Sequence, residues 1–244
     1  MKPIDITMTI TCAVLYTVVG YLSHMGIVSP VVGVVRFWPA VIVPAVFATL
    51  FGPWVGGVGA AIGIFISDMT YGHHIAFLSL FAGVPSNFLG FFIVGYLANK
   101  NLGWKHLGSG IAGAFIIAFL IGYLYFINVI SINILAIFLA MTMISSIIIV
   151  VAGLKFPEWK SFETGCVAGL FIGSAWIGIT LVIYSFFFSL PLTFEPFTRN
   201  APLYAGALWM VWTFCSEIPF MLLLGPPILK ACYNAIPSLR KTKK

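Results

Sequence analysis

The sequence predicts an all-α polytopic membrane protein with about eight transmembrane helices and both termini on the cytoplasmic side. Three observations predict it. Of the 244 residues, 61% are hydrophobic and 7% charged, against roughly 25% charged in a soluble domain, so the polar surface is too small to cover a soluble fold. Mean hydropathy is +1.10, and apolar runs recur at the length of about 20 residues needed to cross ~30 Å of hydrocarbon. Barrel strands would instead show as short alternating segments. The third observation is where the basic residues fall, which becomes clear once the runs are placed.

The first run covers residues 4–23. Lys2 precedes it, but Ser23-His24-Met25 makes a poor small-residue cleavage site, so it reads as a retained helix. Runs 34–51 and 53–70 are parted only by Gly52-Pro53, and run 75–98 follows a polar break from Asp68 to His74. Runs 108–128 and 132–154 meet in a tight turn around Ser131, and runs 164–190 and 203–231 are joined by PLTFEPFTRNAP. That connection holds three prolines and reads either as a stiff lid or as an ordinary exposed loop. Residues 1–231 form one transmembrane domain, and 232–244 form a basic cytoplasmic tail.

With the N-terminus inside, Lys2, Lys100, Lys105, Lys155, Lys160, Lys230, Arg240, Lys241, Lys243 and Lys244 all fall on the cytoplasmic side. Ten of the twelve basic residues are thus inside, and only Arg36 and Arg199 are outside. This is the positive-inside pattern, and one span more or fewer would scramble it. The net charge of +6 is therefore topological, and no nucleic-acid patch is implied. Cys12, Cys166, Cys215 and Cys232 lie scattered through apolar runs without CxxC spacing, so neither a disulfide framework nor a zinc site is expected. No cofactor is expected.

Several polar residues stand out against this background. Arg36 and Asp68 end successive runs on the outward side, where they either snorkel into headgroups or face each other across a ligand pocket. His73 and His74 share a turn with Asp68 and Tyr71. Adjacent histidines rarely converge on a metal, and no HExxH is present, so they read as surface residues. Asn87 follows Pro85-Ser86. It either answers a carbonyl that the proline frees or faces a cavity. Glu217 lies near the centre of the last run, where an acid costs about 2.5 to 3.5 kcal/mol to insert. It is read as a cavity-facing acid that binds substrate or a proton, against a protonated acid bonding to carbonyls loosened by Pro219. Trp176, Trp209 and Trp212 suit stacking on a flat heterocycle, and equally suit interfacial anchoring.

Gly56, Ala60, Gly63 and Ser67 recur at spacings of four, three and four, which puts them on one helical face. In lipid such smooth faces mark close helix packing, and here they are read as a docking flank for another membrane protein.

The run VVRFWPAVIVPAVFATLFGPWVGGVGAAIGIFISD, followed by GVPSNFLGFFIVGYLANK, resembles the substrate-binding S components of energy-coupling factor transporters. The matching positions are Arg36, Phe51-Gly52-Pro53, Gly56-Gly57, Gly63, Asp68, Gly90, Gly95-Tyr96-Leu97 and Lys100, and the ending EIPFMLLLGPPILKA is similar to the family's last helix. The resemblance covers the first hundred residues and the last run. It implies capture of a vitamin or related micronutrient at the outer face, docking on a T component with paired ATPases, and no covalent chemistry. The family docks through an AxxxA face, for which Thr9, Ala13 and Thr17 with Gly56, Ala60 and Gly63 are the counterparts. Members usually have six spans where this chain shows eight. Two other classes remain open. A multi-span sensory domain expects an attached output domain, and a stand-alone secondary transporter, with Glu217 as proton carrier, expects the inverted repeats that many such folds carry.

Overall fold

Glycine and proline punctuate the helices of this chain. The computed structural model describes residues 2–27, 31–32, 35–191 and 194–239. The side chains of residues 31, 32, 35, 36, 104, 106 and 107 lie outside the described set. Helix α1 is Pro3–His24. Two-residue strands β1 (Val31–Val32) and β2 (Val35–Arg36) then pair antiparallel. Run 34–51 was expected to be helical throughout, but its helix starts only at a 3-10 turn Pro39–Val41, continuing as α2, Ile42–Phe51. A proline fixes the start and pushes the preceding Trp38 out of the helical region. Gly52 adopts φ 111°, open to glycine but strained for other residues, and Pro53 opens α3, Pro53–Thr70.

Helix α4 is Ala76–Ala98, with a π-helical stretch at Ser79–Gly83. Helices α5 (Trp104–Phe126) and α6 (Ile132–Lys155) form a hairpin. The Ser131 side chain caps α6 by accepting from the Ile134 N–H. Helix α7 is Lys160–Phe187 and α8 is Leu203–Ala235, with Pro219, Pro226 and Pro227 inside it. Six of these helices are long and apolar enough to cross a membrane, and the protein is an all-α multi-pass membrane protein. The two that fall short are α2 and α3, of 10 and 18 residues.

Helix α4 packs most extensively on α7, and α3 packs between α1 and α4. The α4–α7 contact rests on glycines. A Cβ built on Gly165 would come 2.9 Å from Val94 O, one on Gly173 3.1 Å from Ser86 O, and one on Gly90 3.2 Å from Gly169 O. Backbones this close leave no room for side chains, which is how helices associate where no hydrophobic force drives them. The α5–α6 hairpin packs on α7 and α8 at the side of the bundle. It exposes Phe115, Phe119 and Phe126, as a lipid-facing surface does. The α2–α3 turn, the end of α4, the start of α7 and the end of α8 share one end of the bundle, where Thr49, Pro53, Lys100, Pro157 and Lys230 line a common cleft. Lys100 and Lys230 therefore lie at the same end of the bundle.

Candidate functional site

The π stretch in α4 sets the geometry of the interior. Pro85 has no N–H to offer Phe81 O, and Trp176 Nε1 from α7 donates there at 3.3 Å. Asn87 Nδ2 donates to Gly83 O at 3.0 Å, and Ser86 Oγ crosses to Gly173 O at 2.9 Å. The carbonyl released by the proline is thus met by the indole, and Asn87 keeps its Oδ1 for other partners. Tyr16 of α1 donates to that oxygen at 2.9 Å.

Asn87 and Glu217 border one internal cavity between α4, α7 and α8, together with Ser174 and Thr213. Its volume is about 30 Å³, room for roughly one water and below the usual size of a pocket for a small molecule. Trp38 packs on α1 and α8 near this cavity without lining it. Its backbone N–H donates to Ser216 O at 3.2 Å, and its ring lies 3.1 Å from where a Cβ on Gly20 would stand. The backbone of β2 also rests on α8. The main chain of Arg36, in β2, thus lies beside the helix of Glu217; its side chain lies outside the described residues, and with it the choice between snorkelling and facing Asp68.

Asp68 has its partners at the C-terminal end of α3. Ser79 Oγ, in the π stretch, donates to Asp68 Oδ2 at 2.6 Å, and His73 Nε2 lies 3.6 Å from the same oxygen. The Ile75 N–H donates to His73 Nδ1 at 3.1 Å, which leaves the proton on Nε2, facing the carboxylate. His74 turns the other way, its Nδ1 2.8 Å from Met69 O. The histidines diverge, and no group of three metal-ligating side chains occurs among the described residues. Tyr71 folds back so that its hydroxyl lies 2.7 Å from Ser67 Oγ and 3.0 Å from Thr17 O. Burial raises that phenol above its ordinary value, the Ser67 contact opposes the rise and nearby Asp68 adds to it, so it stays a neutral donor.

The three tryptophans do not converge. Trp176 is 38% exposed and serves α4 as above. Trp209 meets Phe194 of the α7–α8 loop edge-on at 5.6 Å, and Trp212 meets Phe138 of α6 at 5.9 Å. Of the residues singled out from sequence, Asn87 and Glu217 share a site, while Asp68, Trp176, Trp209 and Trp212 stand apart from it.

The expected docking flank is turned inward. Ala60 is fully buried and Ala13 is 3% exposed. A Cβ on Gly63 would lie 2.9 Å from Ala13 O, one on Gly59 would lie 2.7 Å from Cys12 Cβ, and one on Gly56 would collide with Ala48. Thr17 Oγ1 lies 3.1 Å from Gly63 O, and Thr9 is also buried. The small residues of α1 and α3 are thus consumed in packing against each other and against α2.

Two features escaped the sequence reading. Gly165, Gly169 and Gly173 form a regular four-residue repeat, and it is this repeat that lies in the most extensive helix pair. Run 164–190 begins four residues after the helix does, at Lys160, which leaves Glu163 in a connection. In the structure Glu163 lies in the first turn of α7 and is fully buried. Compared with known families, curated proteins and solved structures, the chain matches none.

Proposed function

We propose that this protein is a solute-capture subunit of the S-component kind, spanning the membrane eight times with both termini inside. It takes up a small vitamin-like nutrient from the outward side, between α4, α7 and α8. The observation that carries this reading is the meeting of Asn87 and Glu217, 130 positions apart in the sequence, at one small cavity between the helices. Polar groups inside a membrane bundle are costly and mark solute pathways. Six helices remain when the peripheral α5–α6 hairpin is set aside, which is the span number of the family that the sequence resembles.

In this reading the described conformation is a closed one, since the cavity holds about one water. A ligand enters when α4 and α8 part, with Asn87 and Glu217 hydrogen-bonding its polar edge and Trp38 covering it. The partner T component and its ATPases dock on a surface other than the α1–α3 stripe, since that stripe is already occupied. The protein itself does no covalent chemistry. The test is mass spectrometry of small molecules extracted from the purified wild-type protein and from Glu217→Gln. A nutrient-like heterocycle held by the wild type and lost from the variant is expected, whereas identical extracts would refute the reading.

The internal burial of the α1–α3 stripe favours a second reading, a stand-alone transporter in which Glu217 carries the proton. Uptake by the protein alone in vesicles, driven by a proton gradient without ATP, would select it.

A further inference from the structure

At the end of the bundle that holds Lys100 and Lys230, two depressions meet. One is a cleft of about 1000 Å³ with Lys100, Asn101, Lys230 and Asn234 on its walls. The other is an apolar groove of about 490 Å³ between α6, α7 and α8, bordered by Ile148, Val151, Leu222, Leu223 and Pro226. Glu158, Trp159 and Lys230 line both, so the groove opens into the cleft. Val151 and Leu223 are exposed on the bundle's outside, which places the groove against the lipid chains.

Glu163 lines this groove. It is 0% exposed, and among the described residues neither carboxyl oxygen has a hydrogen-bond partner. Buried polar groups nearly always have partners, and one without them calls for an explanation. Its place in the first turn of α7 suits negative charge through the helix dipole, but a dipole supplies no hydrogen bond to these two oxygens. A donor arriving from the groove would.

We propose that this junction seats one phospholipid carrying a primary-amine headgroup. Its phosphate lies against Lys230, its ammonium donates to Glu163, and an acyl chain follows the groove between α6 and α8. Basic pockets between helices on the cytoplasmic side suit lipid phosphates. A purely anionic headgroup brings no ammonium to donate to Glu163. A quaternary ammonium would bring charge without an N–H. Lys230 beside the two acids Glu158 and Glu163 matches a headgroup that pairs a phosphate with an ammonium donor, and the apolar extension matches its tail.

The test is native mass spectrometry of the full-length protein released from bilayers of equimolar phosphatidylethanolamine, phosphatidylcholine and phosphatidylglycerol with identical chains. The wild type is expected to retain phosphatidylethanolamine severalfold over the other two. Glu163→Gln is expected to erase that preference and raise phosphatidylglycerol, and Lys230→Ala to lower retention of all three. Equal retention by the wild type, or an unchanged preference in Glu163→Gln, would overturn the proposal. Should Glu163→Gln not purify as a single species, the wild-type ratio and Lys230→Ala decide it. Free phosphoethanolamine is expected not to displace the lipid; displacement would refute the role given to the apolar groove.

Discussion

The Tyr16 hydroxyl donates to Asn87 Oδ1 at 2.9 Å, which ties α1 to α4 beside the cavity that Asn87 shares with Glu217. Tyr16 is 2% exposed, so this bond has no ready substitute from water. Tyr16→Phe removes the donor and leaves a buried amide oxygen short of a partner, at a cost of about 1 to 3 kcal/mol. A lower thermal unfolding midpoint in detergent is expected. Asn87→Leu combined with Tyr16→Phe should cost less than the sum of the two single changes, because it removes both halves of the pair.

Glu217→Gln keeps the shape of the side chain and removes its ionisable proton. The proposed capture function predicts weaker ligand retention with an unfolding midpoint close to that of the wild type. Loss of both together would assign Glu217 to structure instead.

Gly169 faces Gly90 so closely that an added Cβ collides with its carbonyl. Gly169→Ala is therefore expected to destabilise by about 1 to 3 kcal/mol through overpacking, read as loss of monodisperse protein or a lower midpoint. Gly122, on α5, has nothing within 4 Å of a built Cβ, and Gly122→Ala should leave the midpoint unchanged or slightly raised.

Replacing Gly56, Ala60 and Gly63 by leucine tests the inward-facing stripe. Because these positions pack within the chain, the triple variant is expected to fail to fold, seen as aggregation in size-exclusion chromatography. A well-folded triple variant that had lost only its coupling to a partner would contradict the packing described here.

Topology can be tested with single cysteines introduced into a Cys232→Ser background, since Cys12, Cys166 and Cys215 are buried. Arg199→Cys should react with an impermeant maleimide on intact cells, and Lys105→Cys only after permeabilisation. The opposite pattern would invert the proposed orientation.

The sequence by itself determined the class of the molecule and the order of its helices. A chain with apolar runs this long satisfies its backbone in lipid by winding into helices. It also marked Asn87 and Glu217, because an amide and an acid inside apolar runs are too costly to be incidental. Only the tertiary structure decided what each of these residues touches. Periodicity shows that Gly56, Ala60 and Gly63 share a face, and that Gly165, Gly169 and Gly173 share another. It carries no information on whether that face meets a partner protein or another helix of the same chain. Trp176 looked like a ligand platform, yet it answers Phe81 O, which lies 95 positions away in the sequence. Such contacts follow from which helices lie side by side, and that choice is made by the close fit of backbones over glycine, a property of pairs of helices that no single helix displays.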